Sequence, residues 1–106
     1  MLDNIRAIMN TKIKTGMAWY KDKDYPKLRL LFTDGAKFPE FYEEWLGNAE
    51  EAERLKSASG YEVVRVVIEP TAFAAWCEIR KISPDAKARK TYARHGSLLG
   101  GRPPKD

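Results

Sequence analysis

The chain has 106 residues, of which 43% are hydrophobic and 32% are charged, and its formal net charge is +4. A chain of this length forms one small globular domain and can bury roughly two thirds of its unfolded surface. No run approaches the ~18 apolar residues of a membrane-spanning helix, and residues 1–16 lack the apolar stretch of a signal peptide. The single Cys excludes an internal disulfide, which fits a reducing compartment. We therefore expect a soluble, cytoplasmic, single-domain protein.

The charges are segregated along the chain. Residues 34–54 hold seven carboxylates against two cations, whereas residues 79–106 hold eight cations against two carboxylates. One interpretation is that basic helices pack against the acidic one within the same molecule. The other is that a basic C-terminal surface binds an anionic partner.

The first third of the chain predicts two helices separated by an extended segment. Apolar residues recur at helical spacing in residues 1–10, and the polar, basic residues 11–16 are predicted to be a linker. The run 17–20 (Met-Ala-Trp-Tyr) is too short for a helix and rich in aromatics, which favours a strand. Pro26 suits a first helical turn, and the apolar spacing around it predicts a helix over 25–33.

Three longer helices are predicted in the rest of the chain. The clearest spans 39–58, where apolar residues recur every three or four positions and glutamates occupy the opposite side. A second begins at Pro70. The third, strongly basic, spans 84–95 after Ser83 as a predicted N-cap.

Residues 61–68 (Tyr-Glu-Val-Val-Arg-Val-Val-Ile) are the clearest strand in the sequence. Valines fall on both faces, so we expect both faces to be at least partly covered. One strand cannot satisfy its own backbone groups and needs a partner. Within the chain that partner is 17–20, which we expect to pair antiparallel; the alternative is the same strand of a second copy.

These elements predict an α+β fold, a mostly helical single domain packed on a small sheet or β-ribbon. Residues 1–16 would form the N-terminal helix and linker, 17–95 the globular domain, and 96–106 a flexible basic tail rich in Gly and Pro. One apolar set agrees with both the helical and the strand periods. Its members, predicted to form the core, are Phe41, Trp45, Leu46, Val64, Val66, Ile68, Phe73 and Trp76.

Several short motifs resemble those of a family of small uncharacterised bacterial proteins, a domain of unknown function. They are Ala18-Trp19-Tyr20, Asp24-Tyr25 and Tyr42-x-x-Trp45-Leu46, and the likeness extends over about residues 17–95. The resemblance implies a single domain of this size. It implies no activity and no functional residues.

Residues suited to catalysis or metal binding are scarce. Nucleophilic catalysis needs a thiol or hydroxyl beside a base, but Cys77 lies in an aromatic helix and His95 at a predicted helix end. One Cys and one His cannot supply the four ligands of a structural zinc site. The glutamates of 39–58 repeat along one helix face, which is typical of a solvated surface. We therefore expect no catalytic residues, no metal site and no cofactor.

Two regions are candidates for binding a partner. Trp19 and Tyr20 lie beside alternating charges and are the aromatics we expect to reach the surface as anchors for a protein partner. Gly101-Arg102-Pro103 resembles the centre of an AT-hook, in which a Gly-Arg-Pro segment lies in the narrow minor groove of A/T-rich DNA. The candidate nucleic-acid contacts are Lys87, Arg89, Lys90, Arg94, Arg102 and Lys105.

The sequence thus favours a small non-enzymatic interaction or accessory protein whose partner is another protein or a second copy of itself. The alternative is a DNA- or RNA-binding protein that uses the basic helix and the tail. Nothing in the sequence indicates a membrane partner.

Overall fold

The computed structural model describes residues 12–99 of the chain. The N-terminal helix expected over residues 1–10 lies outside this range, as do residues 100–106 of the expected tail. Two short 3₁₀ turns accompany the regular elements, at Asp22–Asp24 and Gly35–Lys37. The two strands and four helices of residues 12–99 are β1 (Ile13–Trp19), α1 (Tyr25–Leu31), α2 (Tyr42–Ala58), β2 (Tyr61–Val67), α3 (Pro70–Arg80) and α4 (Ala86–Leu98). The prediction of an α+β fold, mostly helical on a small sheet, is confirmed.

In the described part of the chain the sheet has two strands, β1 and β2, which run parallel with Gly16 opposite Val64 and Trp19 opposite Val67. The predicted pairing partner is therefore right, but the antiparallel orientation is wrong. Two helices lie between the strands, and a connection that carries helices returns the chain in the same direction. The strand also begins at Ile13, so residues 13–16 belong to the sheet and not to the predicted linker.

One face of the sheet is covered by α4, at very short range. A Cβ atom at Gly16 would collide with the backbone carbonyl of Ala93, and one at Gly96 would lie 2.5 Å from Cγ1 of Val66. Glycines on both elements are what allow helix and sheet backbones to approach this closely. The helix is therefore held over β1 itself.

The other face is covered by α2 and an aromatic core. The Trp19 and Trp45 rings meet edge-on with centroids 5.4 Å apart, and the Tyr20 ring lies 4.6 Å from that of Trp45. Two tyrosine hydroxyls of this core are hydrogen-bonded, since Tyr42 donates to the Tyr20 carbonyl at 2.9 Å and Tyr25 donates to the Pro39 carbonyl at 2.6 Å. Aromatic packing thus joins β1 to α1 and α2.

The predicted core is largely but not wholly correct. Trp45, Val66, Ile68 and Phe73 are buried, whereas Leu46, Val64 and Trp76 are only partly buried. Phe41 is 65% exposed, which contradicts its predicted burial. It is the N-cap of α2, with extended backbone, so it lies outside the helical face on which its spacing placed it.

The ends of α2 and α4 differ from the predicted ones. The helix predicted over 39–58 begins at Tyr42. The basic helix begins after Asp85, not Ser83, because the Asp85 carboxylate accepts a hydrogen bond from the Ala88 amide at 2.9 Å. It also continues to Leu98, so residues 96–98 are helical and not part of the predicted tail.

Candidate functional site

A groove of about 840 Å³ lies between β1 and α4. Five consecutive residues of β1 line it, so it follows the edge of the strand and not one face alone. Among the lining residues that belong to the described part of the chain, 12–99, there is no carboxylate. The basic residues that line it are Lys14, Lys56, Lys87, Arg89, Lys90 and Arg94.

Helix α4 supplies most of these cations because of its residue spacing. Lys87, Lys90 and Arg94 follow one another at intervals of three and four and therefore share one face. Ala88 and Ala93, on the packed side of the helix, are buried. A helix with small residues inward and basic residues outward can approach β1 closely while holding its cations beside the strand.

Arg89, one of the predicted nucleic-acid contacts, is paired with a carboxylate within the fold. Its guanidinium makes two hydrogen bonds to the Asp34 carboxylate, at 2.7 and 2.8 Å, and lies 4.4 Å from the ring centroid of Phe32. The hydrogen bonds from Arg89 hold the pKa of Asp34 below its usual range. The Arg89 side chain is only 9% exposed, so this pair ties α4 to the chain that follows α1.

The other five groove cations differ from Arg89 in having no carboxylate partner within residues 12–99. Lys14, Lys56, Lys87, Lys90 and Arg94 form no ion pair within the described residues 12–99. Lys87, Lys90 and Arg94 are exposed. Converging charges of one sign along a concave surface raise the local concentration of anions.

The second wall of the groove is the outer edge of β1. The Trp19 carbonyl accepts a hydrogen bond from the Ile68 amide at 2.8 Å, so Trp19 directs its carbonyl toward β2. Alternate residues direct their backbone groups to opposite sides of a strand. Lys14, Gly16 and Ala18 therefore direct theirs outward, where no described residue bonds to them. This edge was not predicted from the sequence, because residues 13–16 were expected to belong to a linker and not to a strand.

Trp19 and Tyr20 are not surface anchors, contrary to prediction. They are 7% and 4% exposed and lie in the core. Arg65 covers Trp19, with its guanidinium carbon 3.8 Å from the ring centroid, and pairs with Glu53 at 2.6 Å. The Arg65 side chain, held by Glu53, therefore covers the Trp19 ring.

The residues considered for catalysis lie apart from the groove lining. Cys77 is 2% exposed, and burial raises the pKa of its thiol. His95 is exposed, and its ring lies edge-on to Trp76 with centroids 6.2 Å apart. Within residues 12–99, no three His, Cys, Asp or Glu side chains are grouped so that they could hold a metal ion.

In the same part of the chain, no helix combines the length and apolar character needed to cross a membrane. Arg102 and Lys105 lie outside the described residues.

Comparisons of the chain with family models, with curated proteins and with solved structures found no match. The resemblance to small uncharacterised bacterial proteins through Ala18-Trp19-Tyr20 stays a prediction. The groove between β1 and α4 is then the feature of the described chain from which a function can be inferred.

Proposed function

We propose that the protein is a non-enzymatic interaction protein whose groove between β1 and α4 binds an acidic, extended segment of a partner protein. The observation that carries the proposal is the set of five groove cations that have no ion pair within residues 12–99, where the described lining also holds no carboxylate. An acidic ligand would supply the countercharges that the chain itself does not place there.

The positive charge of the groove favours an acidic ligand mainly by speeding association and by rejecting basic partners. Exposed charges act over about 10 Å at 0.1 M salt, which is enough to guide an acidic segment into a groove of this size. Complementary charge raises the association rate and rejects basic partners more than it raises affinity. Binding should therefore weaken as salt is added.

The walls of the groove favour an extended polypeptide over a nucleic acid. Single-stranded nucleic acids are bound by aromatic side chains on which bases stack, and none of the described residues that line this groove is aromatic. A strand edge, by contrast, offers backbone donors and acceptors to an extended peptide.

Duplex DNA is the second candidate, and one observation favours it. Lys87, Lys90 and Arg94 form a continuous exposed row on α4, which could contact phosphates. Such contacts position a protein on DNA without reading its sequence. An A/T preference would have to come from Arg102.

Fluorescence anisotropy can decide between the two candidates. The probes are a labelled eight-residue peptide of alternating Glu and Val, an A/T-rich duplex and a G/C-rich duplex, each titrated at low and at moderate salt. We expect the peptide to bind, and binding to weaken about tenfold in the double variant Lys87→Gln/Lys90→Gln, since two lost charge contacts of roughly 0.7 kcal/mol each amount to one decade.

The matched control is Lys23→Gln/Lys27→Gln, which removes two exposed lysines that do not line the groove. It has the same net charge as the test variant, so it separates groove contacts from the overall charge of the molecule. Equal weakening in both variants, or no peptide binding at low salt, would refute the proposal. Binding of duplex but not of peptide would establish the nucleic-acid candidate in its place.

A further inference from the structure

We infer that the acidic segment adds to the sheet as a third strand, paired with the outer edge of β1 beneath Lys87, Lys90 and Arg94. This inference rests on the proposed function and specifies how the ligand is held and which sequence pattern it has.

Within residues 12–99, nothing pairs with the outer edge of β1 along the length of the groove. The backbone groups of Lys14, Gly16 and Ala18 point away from β2, and no described residue bonds to them. Every residue from Lys14 to Ala18 also lines the groove. Five residues of strand span about 16 Å at about 3.3 Å per residue, which sets the length of segment that can pair.

The position of α4 dictates where the acidic side chains of the ligand must lie. The helix packs directly on β1 at Gly16, where the Ala93 carbonyl is the nearest atom. Its exposed row of cations lines the groove together with the strand edge. A third strand would therefore have one face turned toward α4 and its cations, and the other face turned away.

Side chains alternate between the two faces of a strand, so only every second residue of the ligand meets the cations. The ligand is thus an extended segment with Asp or Glu at alternate positions over about five residues. A segment with the same residues in two separate blocks would place half of its carboxylates away from α4.

Charge argues against a second copy of the chain as the symmetric occupant of this edge. Pairing β1 with β1 across a two-fold axis would bring the same groove of each copy together. Each copy would then bring Lys14, Lys87, Lys90 and Arg94, and the described residues of neither lining include a carboxylate. Like charges placed opposite one another in a sheet destabilise the pairing. Lysine on an edge strand is also a known means of preventing self-association.

The test uses the full chain and four peptides of Glu and Val. One alternates the two residues, one has them in blocks, and two are alternating peptides carrying N-methyl groups either on the Glu amides or on the Val amides. N-methylation removes a backbone donor without changing charge, and the two methylated peptides report on the two opposite edges of the ligand strand.

We expect the alternating peptide to bind at least about tenfold more tightly than the block peptide. N-methylation of at least one of the two amide sets should weaken binding at least about tenfold. In the complex, hydrogen exchange at the Gly16 and Ala18 amides should slow by at least about tenfold, because these donors would then be bonded.

The possible results distinguish failure of the strand-pairing inference from failure of the proposed function. If all four peptides bind alike, and the Lys87→Gln/Lys90→Gln variant still weakens them, the groove binds acidic segments but not as a strand. Unchanged exchange at Gly16 and Ala18 would overturn the inference in the same way. If none of the peptides binds, both the inference and the proposed function fail.

Discussion

The basic residues on the two sides of the small sheet differ in whether the fold supplies them with a carboxylate partner. On the side covered by α2, Arg65 pairs with Glu53 and lies 3.8 Å from the ring centroid of Trp19. On the side of α4, Lys87 and Lys90 line an open groove and have no ion pair within the described chain. The same residue class therefore closes the core on one side and leaves charge available to a ligand on the other.

Arg89 shows that position alone does not separate these two classes. It lies on α4 beside Lys90 and lines the groove, yet its guanidinium is bound by the Asp34 carboxylate. The difference lies in the partner that the fold supplies. Removing a cation that has an internal carboxylate should cost stability, and removing one that lacks it should cost binding.

The largest expected effect is on the side of the aromatic core. Trp45→Ala should lower the free energy of unfolding by about 3–5 kcal/mol, because it leaves a cavity among the Trp19, Tyr20 and Tyr25 rings. Urea denaturation followed by circular dichroism measures this change. The matched control is Phe41→Ala, which should change stability by less than about 0.5 kcal/mol because Phe41 is exposed. Similar losses in the two variants would contradict the assignment of the core.

The next largest effect concerns the pair that ties α4 to the rest of the molecule. Asp34→Asn should destabilise the protein by about 2–3 kcal/mol at pH 7, somewhat less than a fully buried pair, because the Asp34 side chain is 25% exposed. The variant leaves the Arg89 charge in place without its carboxylate.

This effect should depend on pH in a defined direction. The hydrogen bonds from Arg89 lower the pKa of Asp34 in the folded protein. A depressed carboxyl pKa contributes stability that is fully present above the unfolded pKa, near 4, and is lost as pH falls through the folded pKa. Urea denaturation at pH 7 and at progressively lower pH should therefore show the difference between wild type and Asp34→Asn shrinking. A difference that stays constant down to strongly acidic pH would show that the ion pair is not its source.

Local signals in the sequence predicted the elements better than their long-range contacts. The valine-rich strand and the basic helix that carries Lys87, Lys90 and Arg94 were predicted from local patterns, and both are present in the structure. The pairing of Arg89 with Asp34 joins residues 55 positions apart, and no local pattern indicates it. For the same reason, Arg89 could not be distinguished from Lys90 as a candidate ligand contact.

For two of the wrong predictions, the sequence contained the information needed to make the right one. Helices were predicted between 17–20 and 61–68, and that order favours parallel pairing, but the short apolar run was instead assigned to an antiparallel pair. The linker prediction for 11–16 treated Gly16 as a break in structure. Gly16 is in fact the strand position at which the Ala93 carbonyl approaches, so its missing side chain marks packing and not a loop.

The close approach at Gly16 gives a smaller but specific effect. Gly16→Ala should destabilise the protein by about 1–3 kcal/mol, because the new methyl group would overlap the Ala93 carbonyl and push α4 from the sheet. Gly47→Ala is the matched control, since open space surrounds Gly47 within helix α2 and alanine there should stabilise by about 0.5–1 kcal/mol. Thermal and urea unfolding of both variants would test this, and loss of stability in both would remove the packing explanation.

The smallest expected effect separates the two classes of cation most sharply. Lys90→Gln should change the free energy of unfolding by less than about 0.5 kcal/mol, because Lys90 is exposed and has no ion pair within residues 12–99. Relief of repulsion from Lys87 and Arg94 should make the change stabilising at low salt and remove it at high salt. The neighbouring Arg89→Gln should instead cost stability at either salt concentration, since it leaves the partly buried Asp34 carboxylate without its partner. Equal losses from the two adjacent substitutions would mean that the groove lysines serve the fold, and the distinction between bound and available cations would no longer identify a binding site.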